Sequence, residues 1–492
     1  MFSRIATQRF SRFSKPSTRP LPLGSRSHSE AWLKSASGIL AIVVLAITTG
    51  NAIATEKWVY VLIAVAAIIA VQWPIEAALS LYAFLVPFEA VSALGSGNAG
   101  VTLNWAVGAL AGMGLLVAGI AKQRLSMPSR TVLLWLAFLF WGILTMAWAV
   151  EPAAAKQILP TAVALVFLYA LAASWTITKK QLLLLCGFAV AGGFLAAIAV
   201  VYLYRSGVTY GTWTQTARAS LIVANRETNP NGIAAELLLP ISLAVSWFIS
   251  TRRRSAMVAA FVMFAIMSYA AFLTMSRAFV VAFAVMFCVY IWRLRLNRRL
   301  VALAAAVLAL AASLPSLFFA RLQEALATHG AGRLDIWQAG FAVLKAYWLP
   351  GAGLNNFPVV YQTYAGYANE FTGFNRGSHN MYLNVTVELG IVGLVLMSAA
   401  MVSEFRAVTK LRSALGGTLP LVTLGLEAAC WAVLANAFFG DILWSKPFWV
   451  SWLLLAMAVR LGRESAASRQ PVPVPEADPE EFSTRYQPWR TI

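Results

Sequence analysis

Long apolar runs separated by short polar segments recur along nearly the whole chain. A helix needs roughly 17–25 apolar residues to cross a bilayer, and its backbone groups must be satisfied internally because lipid offers no partners. The pattern therefore predicts an all-α polytopic membrane protein with about 12–14 transmembrane helices. The predicted spans are 33–54, 58–73, 75–94, 101–120, 131–149, 158–177, 182–204, 231–250, 256–274, 277–293, 300–318, 380–402, 419–440 and 444–460.

Composition excludes an ordinary soluble domain. Hydrophobic residues make up 60% of the chain, charged residues 12%, and the mean hydropathy is +0.71. The net charge of +19 comes from basic clusters that fall on one side if the spans alternate, which predicts that both termini are cytoplasmic. The charge thus indicates topology, and we expect no nucleic-acid partner. The clusters lie at 4–26, 122–130, 179–180, 252–254, 293–299, 406–412 and 460–469.

Two polar tails flank a membrane domain predicted at residues 31–463. Residues 1–30 are basic and rich in Ser and Pro, which is typical of a disordered cytoplasmic tail that touches anionic lipid; an organelle transit peptide has a similar composition. Residues 464–492 are Pro-rich and then acidic, and we interpret them as a second solvated cytoplasmic tail. Cys186, Cys288 and Cys430 all fall within predicted spans, so no disulfide framework is expected.

Two outward loops, at 205–231 and 319–379, break the charge rule because basic residues should be scarce on this side. Arginine offers a planar fork that matches phosphate oxygens, so the excess indicates a phosphate-bearing ligand. The alternative is rim arginines that only pair with the nearby Glu227, Glu324, Asp335 and Glu370. The basic residues concerned are Arg205, Arg218, Arg226, Arg321, Arg333, Lys345 and Arg376 in the two loops, and Arg277 in the tight outward turn 274–277 between them.

The longer loop is predicted to be partly helical and to end in a histidine of chemical interest. Apolar positions from Gly332 to Lys345 recur at helical spacing. His379, one of only three histidines, stands beside arginines where the next apolar run begins. A titratable imidazole near guanidiniums suits proton transfer next to an anionic substrate. The alternative is an interfacial histidine that only hydrogen-bonds the loop.

Some kinds of site are missing from the sequence. Aspartate occurs only at 335, 441 and 478, and no phosphate loop, HExxH motif or serine nucleophile elbow is present. A metal-dependent transferase needs several oxygen ligands, so we expect chemistry without a metal or other cofactor.

Four segments resemble the O-antigen ligase and O-antigen polymerase superfamily of membrane glycosyltransferases. Together they cover about residues 225–395, in the order and on the common side that the family shows. They are Asn229-Pro230-Asn231, the turn Thr274-Met275-Ser276-Arg277, Gly332-Arg333-Leu334-Asp335 followed by Pro350-Gly351-Ala352-Gly353, and Ser378-His379-Asn380 followed by Glu388-Leu389-Gly390.

The resemblance implies a multi-pass protein of the bacterial inner membrane with its active site in a large periplasmic loop. It implies a glycan donor carried on undecaprenyl diphosphate, an acceptor hydroxyl on a glycan, lipid or protein, and no metal. By position, His379 would be the general base, and Arg277 and Arg333 would hold the diphosphate. Arg376, three residues from His379, would be a second clamp, and Arg218 and Arg226 are further candidate donor contacts; no motif assigns these three.

Three functions stay open at this point. A ligase and a repeat-unit polymerase use the same donor, whereas a flippase of a lipid-linked saccharide would favour charges deep within the spans. Aromatic residues of the loop stack on sugars in one hypothesis and pack at an interface in the other. These residues are Tyr361, Tyr364, Tyr367, Phe371, Phe374 and Tyr382.

Overall fold

The computed structural model describes residues 43–49, 51, 55, 59–94, 101–210, 217–223, 226–312, 323, 332–368, 373–412 and 415–467. The chain divides into two compact units, Met1–Ile68 and Ile69–Ile492. In the first unit, residues 43–49 are helical. Helix α1, Val59–Gln72, also begins in this unit. The predicted tail 1–30, most of the tail 464–492 and most of the span 33–54 lie outside the described residues.

The second unit is built from helices and two minimal hairpins. The hairpins pair β1 (Ala93–Leu94) with β2 (Val101–Thr102) and β3 (Ile222–Val223) with β4 (Arg226–Glu227). The helices are α2 (Ser80–Leu85), α3 (Leu103–Ala121), α4 (Arg130–Leu144), α5 (Pro152–Ser174), α6 (Lys179–Arg205), α7 (Pro230–Glu236), α8 (Leu238–Ser250), α9 (Arg254–Leu273), α10 (Arg277–Leu294), α11 (Arg298–Ala312), α12 (Arg333–Tyr347), α13 (Phe357–Tyr364), α14 (Met381–Leu411), α15 (Leu419–Asn436) and α16 (Lys446–Ala467).

Nine helical segments in the described part of the chain are long and apolar enough to cross a membrane, or ten if one bent pair counts as a span. The all-α polytopic fold is thereby confirmed; the predicted total of 12–14 spans includes residues outside the described part of the chain. The predicted spans 58–73 and 75–94 form the bent pair, because Trp73-Pro74 interrupts the helix and a π-helical turn follows. The described part of α11 is short, and α16 carries charged residues at both ends, so neither helix is among these nine segments.

Each of the four motifs begins a helix, and two of them carry a capping side chain next to a predicted site residue. The Ser276 hydroxyl accepts from the Phe279 N–H at 3.4 Å and caps α10. The Asn380 side chain accepts from Tyr382 N–H at 3.0 Å and Leu383 N–H at 3.1 Å and caps α14. These side chains satisfy backbone donors that the first turn of a helix leaves unpaired. The residues next to them, Arg277 and His379, are therefore placed at helix N-termini.

Helix α15 packs along both α8 and α10, and hydrogen bonds join it to these two helices. Ser242 and Ser246 of α8 donate to carbonyls of α15, and Glu427 of α15 accepts from Arg293 of α10. Small residues and hydrogen bonds are how helices associate where the hydrophobic effect is weak. Arg293, near the C-terminal end of α10, also donates to Thr409, near the C-terminal end of α14. The chain enters α15 from that end, so α10 and α15 run antiparallel. Arg277 consequently lies at the same end of the bundle as the residues that follow α15.

Helix α14 is broken at Gly390, whose φ of 65° and ψ of −172° are not helical. The break frees backbone groups that lipid cannot satisfy, and neighbouring segments pair with them. Ala352 N–H donates to Val387 O at 2.8 Å, Gly353 N–H to Glu388 O at 2.9 Å, Trp141 Nε1–H to Leu389 O at 2.8 Å, and Ile391 N–H to Trp348 O at 2.8 Å. The segment around residues 348–353 is thereby fastened to the break.

Replacing Gly390 with alanine is expected to destabilise the protein. Position 390 has a positive φ of 65°, which an alanine rarely adopts. The added Cβ would also clash with the Leu349 carbonyl and the Gly351 nitrogen. Such strain costs about 1–3 kcal/mol. Thermal unfolding of the purified protein in detergent should show a lower Tm for Gly390→Ala. Gly187→Ala is the matched control, because it lies in α6 with nothing within 4 Å of the new Cβ. Equal Tm values for the two variants would contradict the proposed constraint.

Candidate functional site

His379 sits in a short loop that is held by Asp441. Its φ of 48° is left-handed, which is uncommon for a residue other than glycine. The His379 N–H donates to Asp441 Oδ2 at 3.1 Å, and the Ser378 hydroxyl donates to Asp441 Oδ1 at 2.6 Å. Both oxygens of one carboxylate therefore hold consecutive residues, and this keeps the unusual backbone in place.

Asp441 follows α15 by way of the 3-10 turn Ala437–Phe439. Its approach to the loop depends on Gly377, since a Cβ there would lie 2.8 Å from Asp441 Oδ2. Sequence analysis counted Asp441 among only three aspartates but gave it no role. That rarity, just before the last helix of a hydrophobic chain, was the available signal.

Arg333 and Arg376 both lie near this loop. Arg333 begins α12, and its guanidinium carbon is 6.0 Å from the centre of the Phe439 ring. The Trp337 indole N–H, one turn further on, donates to the Ser378 carbonyl at 3.0 Å. The Arg376 guanidinium lies over Gly373, where a Cβ would be 3.1 Å from Nε and Nη2. The structure therefore brings three of the predicted site residues together around the loop.

The pKa of His379 is lowered from its ordinary value of 6.5. The largest cause is partial burial: the residue is exposed at the surface, but the surrounding chain removes part of the hydration of the imidazolium. Asp441 raises the pKa, and the positive charges of Arg333 and Arg376 lower it. The imidazole is therefore neutral near pH 7, which is the form that accepts a proton.

Arg277 and Arg218 belong to a second group at the same end of the bundle. The turn before Arg277 contains Met275 with a left-handed φ of 53°. Buried Arg218 donates from Nε to the Thr274 carbonyl at 2.8 Å and from Nη2 to Asn231 Oδ1 at 2.8 Å. Arg218 thus ties the Asn-Pro-Asn segment to the turn that carries Arg277.

Arg226, the last of the predicted donor contacts, lies in β4 and is partly buried. Its hairpin leads directly into the Asn-Pro-Asn segment, so it belongs with Arg218 and Arg277 by position. Of the acids predicted to pair with the rim arginines, Glu324 and Glu370 fall outside the described residues.

Glu388 is a second residue whose role sequence analysis missed. It is buried and accepts from Asn355 N–H at 2.9 Å and from Phe357 N–H at 3.2 Å, at the start of α13. The side chain of Asn356 accepts from Glu151 N–H at 2.7 Å, which ties the same segment to the start of α5. The segment 355–357 is therefore anchored to two parts of the membrane domain, α14 and the start of α5.

The fold and this cluster define a polytopic helical membrane protein with an ionisable site at one end of its helices. Residues 262–398 match the sequence model of the family described as O-antigen ligase. The matched range contains Arg277, Arg333, Arg376 and His379, whereas Asp441 lies beyond it. No protein in the curated comparison matches the chain. The match supports a glycosyltransferase-like enzyme.

The lowered pKa of His379 is directly measurable, because the chain has only three histidines. In protein with ¹³C-labelled histidine in nanodiscs, the NMR signal that His379→Gln removes should titrate below pH 6.5. Arg376→Gln removes a positive charge that disfavours the imidazolium, so the pKa should rise. Lys345→Gln is the control, since Lys345 is in the last turn of α12, about 18 Å along the helix from Arg333. A pKa above 6.5, or one unchanged by Arg376→Gln, would contradict this electrostatic account.

Proposed function

We propose that the protein transfers an oligo- or polysaccharide from undecaprenyl diphosphate to an acceptor hydroxyl at the periplasmic face of the bacterial inner membrane, as an O-antigen ligase-like enzyme. The family match supports a lipid-linked glycan substrate. The observation that carries the proposal is the environment of His379: a neutral imidazole, fixed through its backbone by Asp441, next to two guanidiniums. A proton acceptor beside anion-binding groups is what this transfer requires.

The chemistry follows from these charges. The acceptor oxygen attacks the anomeric carbon of the donor while His379 takes the hydroxyl proton. The bond from the anomeric carbon to the diphosphate oxygen breaks, and its electron pair leaves with the lipid diphosphate. Arg333, Arg376 and Arg277 neutralise the charge that develops on that oxygen, which a rigid guanidinium does through paired N–H donors. The same positive charges disfavour the imidazolium, so His379 readily gives the proton up.

The residues divide into an acceptor side and a donor side. His379 acts on the acceptor because it alone among these groups exchanges a proton near pH 7. Arg277 lies on a different element, at the N-terminus of α10, where it is placed to hold the diphosphate. Arg218 supports that position through the Thr274 carbonyl, and we assign it this bracing role in addition to any contact with the donor.

The proposed periplasmic orientation rests on charge. Arg293 and Arg412 both bind Glu427, at the end of the bundle opposite to Arg277, and they belong to basic clusters that the positive-inside rule places in the cytoplasm. The His379 end then faces outward. This arrangement suits a donor that reaches the site from the outer leaflet.

Substitutions should separate the two sides of the site. His379→Ala is expected to lower transfer by about 10²–10⁴, the usual size of a general acid–base contribution, and to leave binding of undecaprenyl diphosphate nearly intact. Arg277→Ala and Arg333→Ala should weaken binding as well as turnover, and lysine should restore only part of it because it lacks the planar fork.

Each variant is assayed for carrier binding and for transfer from lipid-linked glycan purified from the native strain. Lys345→Ala, a cation at the far end of α12, is the matched control and should behave as the unmodified protein. Full transfer by His379→Ala, or arginine variants with normal binding and turnover, would show that the roles are wrongly assigned.

Transfer is also expected to survive removal of divalent metal. Within the described ranges, no group of three or more His, Cys, Asp and Glu side chains is arranged to hold a metal ion. Arginine side chains supply the positive charge in our proposal, so excess EDTA should leave the initial rate unchanged. A strict requirement for added magnesium or manganese would refute metal-free transfer.

A further inference from the structure

The aromatic side chains of the large loop fall into two classes. Tyr361 is fully buried and stacks on Phe357 with ring centres 6.3 Å apart. The Tyr382 ring packs on Phe438 at 4.4 Å, and its hydroxyl donates to the Leu434 carbonyl at 2.9 Å. Tyr361 therefore belongs to the protein interior, partly buried Tyr382 packs against the protein, and Phe371 lies outside the described residues.

The second class faces solvent. Tyr367 is 65% exposed and Phe374 is 71% exposed. The Tyr364 ring stacks on Tyr367 with centres 5.8 Å apart and planes 27° apart. The Gln362 amide donates to Asn375 Oδ1, which joins the end of α13 to the segment that carries Phe374. We call Tyr364, Tyr367, Phe374 and the Gln362–Asn375 amide pair the aromatic platform.

The composition of the platform indicates the ligand. A sugar ring has an apolar C–H face and a rim of hydroxyls. Exposed aromatic rings provide flat apolar area for the face. The two amides of the platform, with the guanidinium of the adjacent Arg376, provide donors and acceptors for the rim. Lipid tails would cover the rings but would leave the remaining donors and acceptors of the two amides unsatisfied. Large rings in solvent beside polar groups are the usual mark of a recognition surface.

The platform also lies close to the proposed chemistry along the chain. Phe374 precedes His379 by five residues, which bounds their backbone separation at about 18 Å. Arg376 and the Asp441-held loop lie between them. A saccharide whose reacting unit is at His379 would therefore extend its neighbouring sugars over these rings.

We propose that the aromatic platform is a saccharide subsite, which binds sugar units of the substrate beyond the one that reacts. This rests on the proposed glycan transfer and deepens it. The subsite makes affinity depend on the glycan, whereas the arginines make it depend on the diphosphate.

The kinetic test compares Tyr367→Ala and Phe374→Ala with Phe341→Ala, a control ring that is 58% exposed on α12 and has no place in the platform. With lipid-linked glycan extracted from the native strain, each platform variant should raise KM about three- to tenfold, as expected for loss of one aromatic contact. The kcat and the binding of undecaprenyl diphosphate should be unchanged. Tyr367→Phe should keep a normal KM, because it keeps the ring. Platform variants that match the control would overturn the subsite.

A second measurement uses the unmodified protein and does not depend on activity. Hydroxyl-radical footprinting in nanodiscs should show Tyr367 and Phe374 oxidised, and then protected by the free saccharide released from the extracted lipid by mild acid. Rings that are protected in nanodiscs without saccharide but oxidised in detergent would be bilayer anchors, and the subsite would be wrong. If the unmodified protein shows no transfer, the proposed function is refuted but the subsite is not. The subsite is judged by the protection of Tyr367 and Phe374, which is measured without transfer.

Discussion

The carboxylate of Asp441 is the contact on which the site depends. It joins the end of α15 to the loop before α14 by accepting from the Ser378 hydroxyl and the His379 N–H. A left-handed histidine is costly and persists only when its surroundings determine it. Partial burial by the surrounding chain lowers the pKa of His379 most; the same carboxylate raises this pKa, and Arg333 and Arg376 lower it. Geometry and proton affinity at His379 are thus set by one set of neighbours.

A second constraint comes from the membrane, where every backbone group needs a partner. The break at Gly390 meets this requirement because the segment around Ala352 supplies donors to the freed carbonyls. Glu388 accepts from the N–H groups at the start of α13 and fixes the other side of that segment. A loop outside the spans thereby gains a rigid base, and the arrangement of groups around His379 can be held to the tolerance that catalysis needs.

Much of the fold was predictable from local pattern. Apolar runs predicted the helices from α3 to α10 and α14 to α15, because length and hydropathy decide whether a segment can cross lipid. The caps Ser276 and Asn380, and the amphipathic period of α12, were equally readable, since each involves residues within a turn of one another. The grouping of Arg333 and Arg376 with His379 agrees with the expectation that loop cations gather at one membrane edge.

Tertiary structure decided what depends on residues far apart in the chain. Asp441 is separated from His379 by a whole helical hairpin, Arg218 meets Thr274 across three helices, and the loop aromatics divide into buried and exposed only after packing. The sequence by itself determined the membrane class and the charged, titratable character of the site, because these follow from composition and short-range spacing. Only the fold determined which carboxylate holds the histidine, because pairing between distant side chains leaves no periodic trace in the sequence.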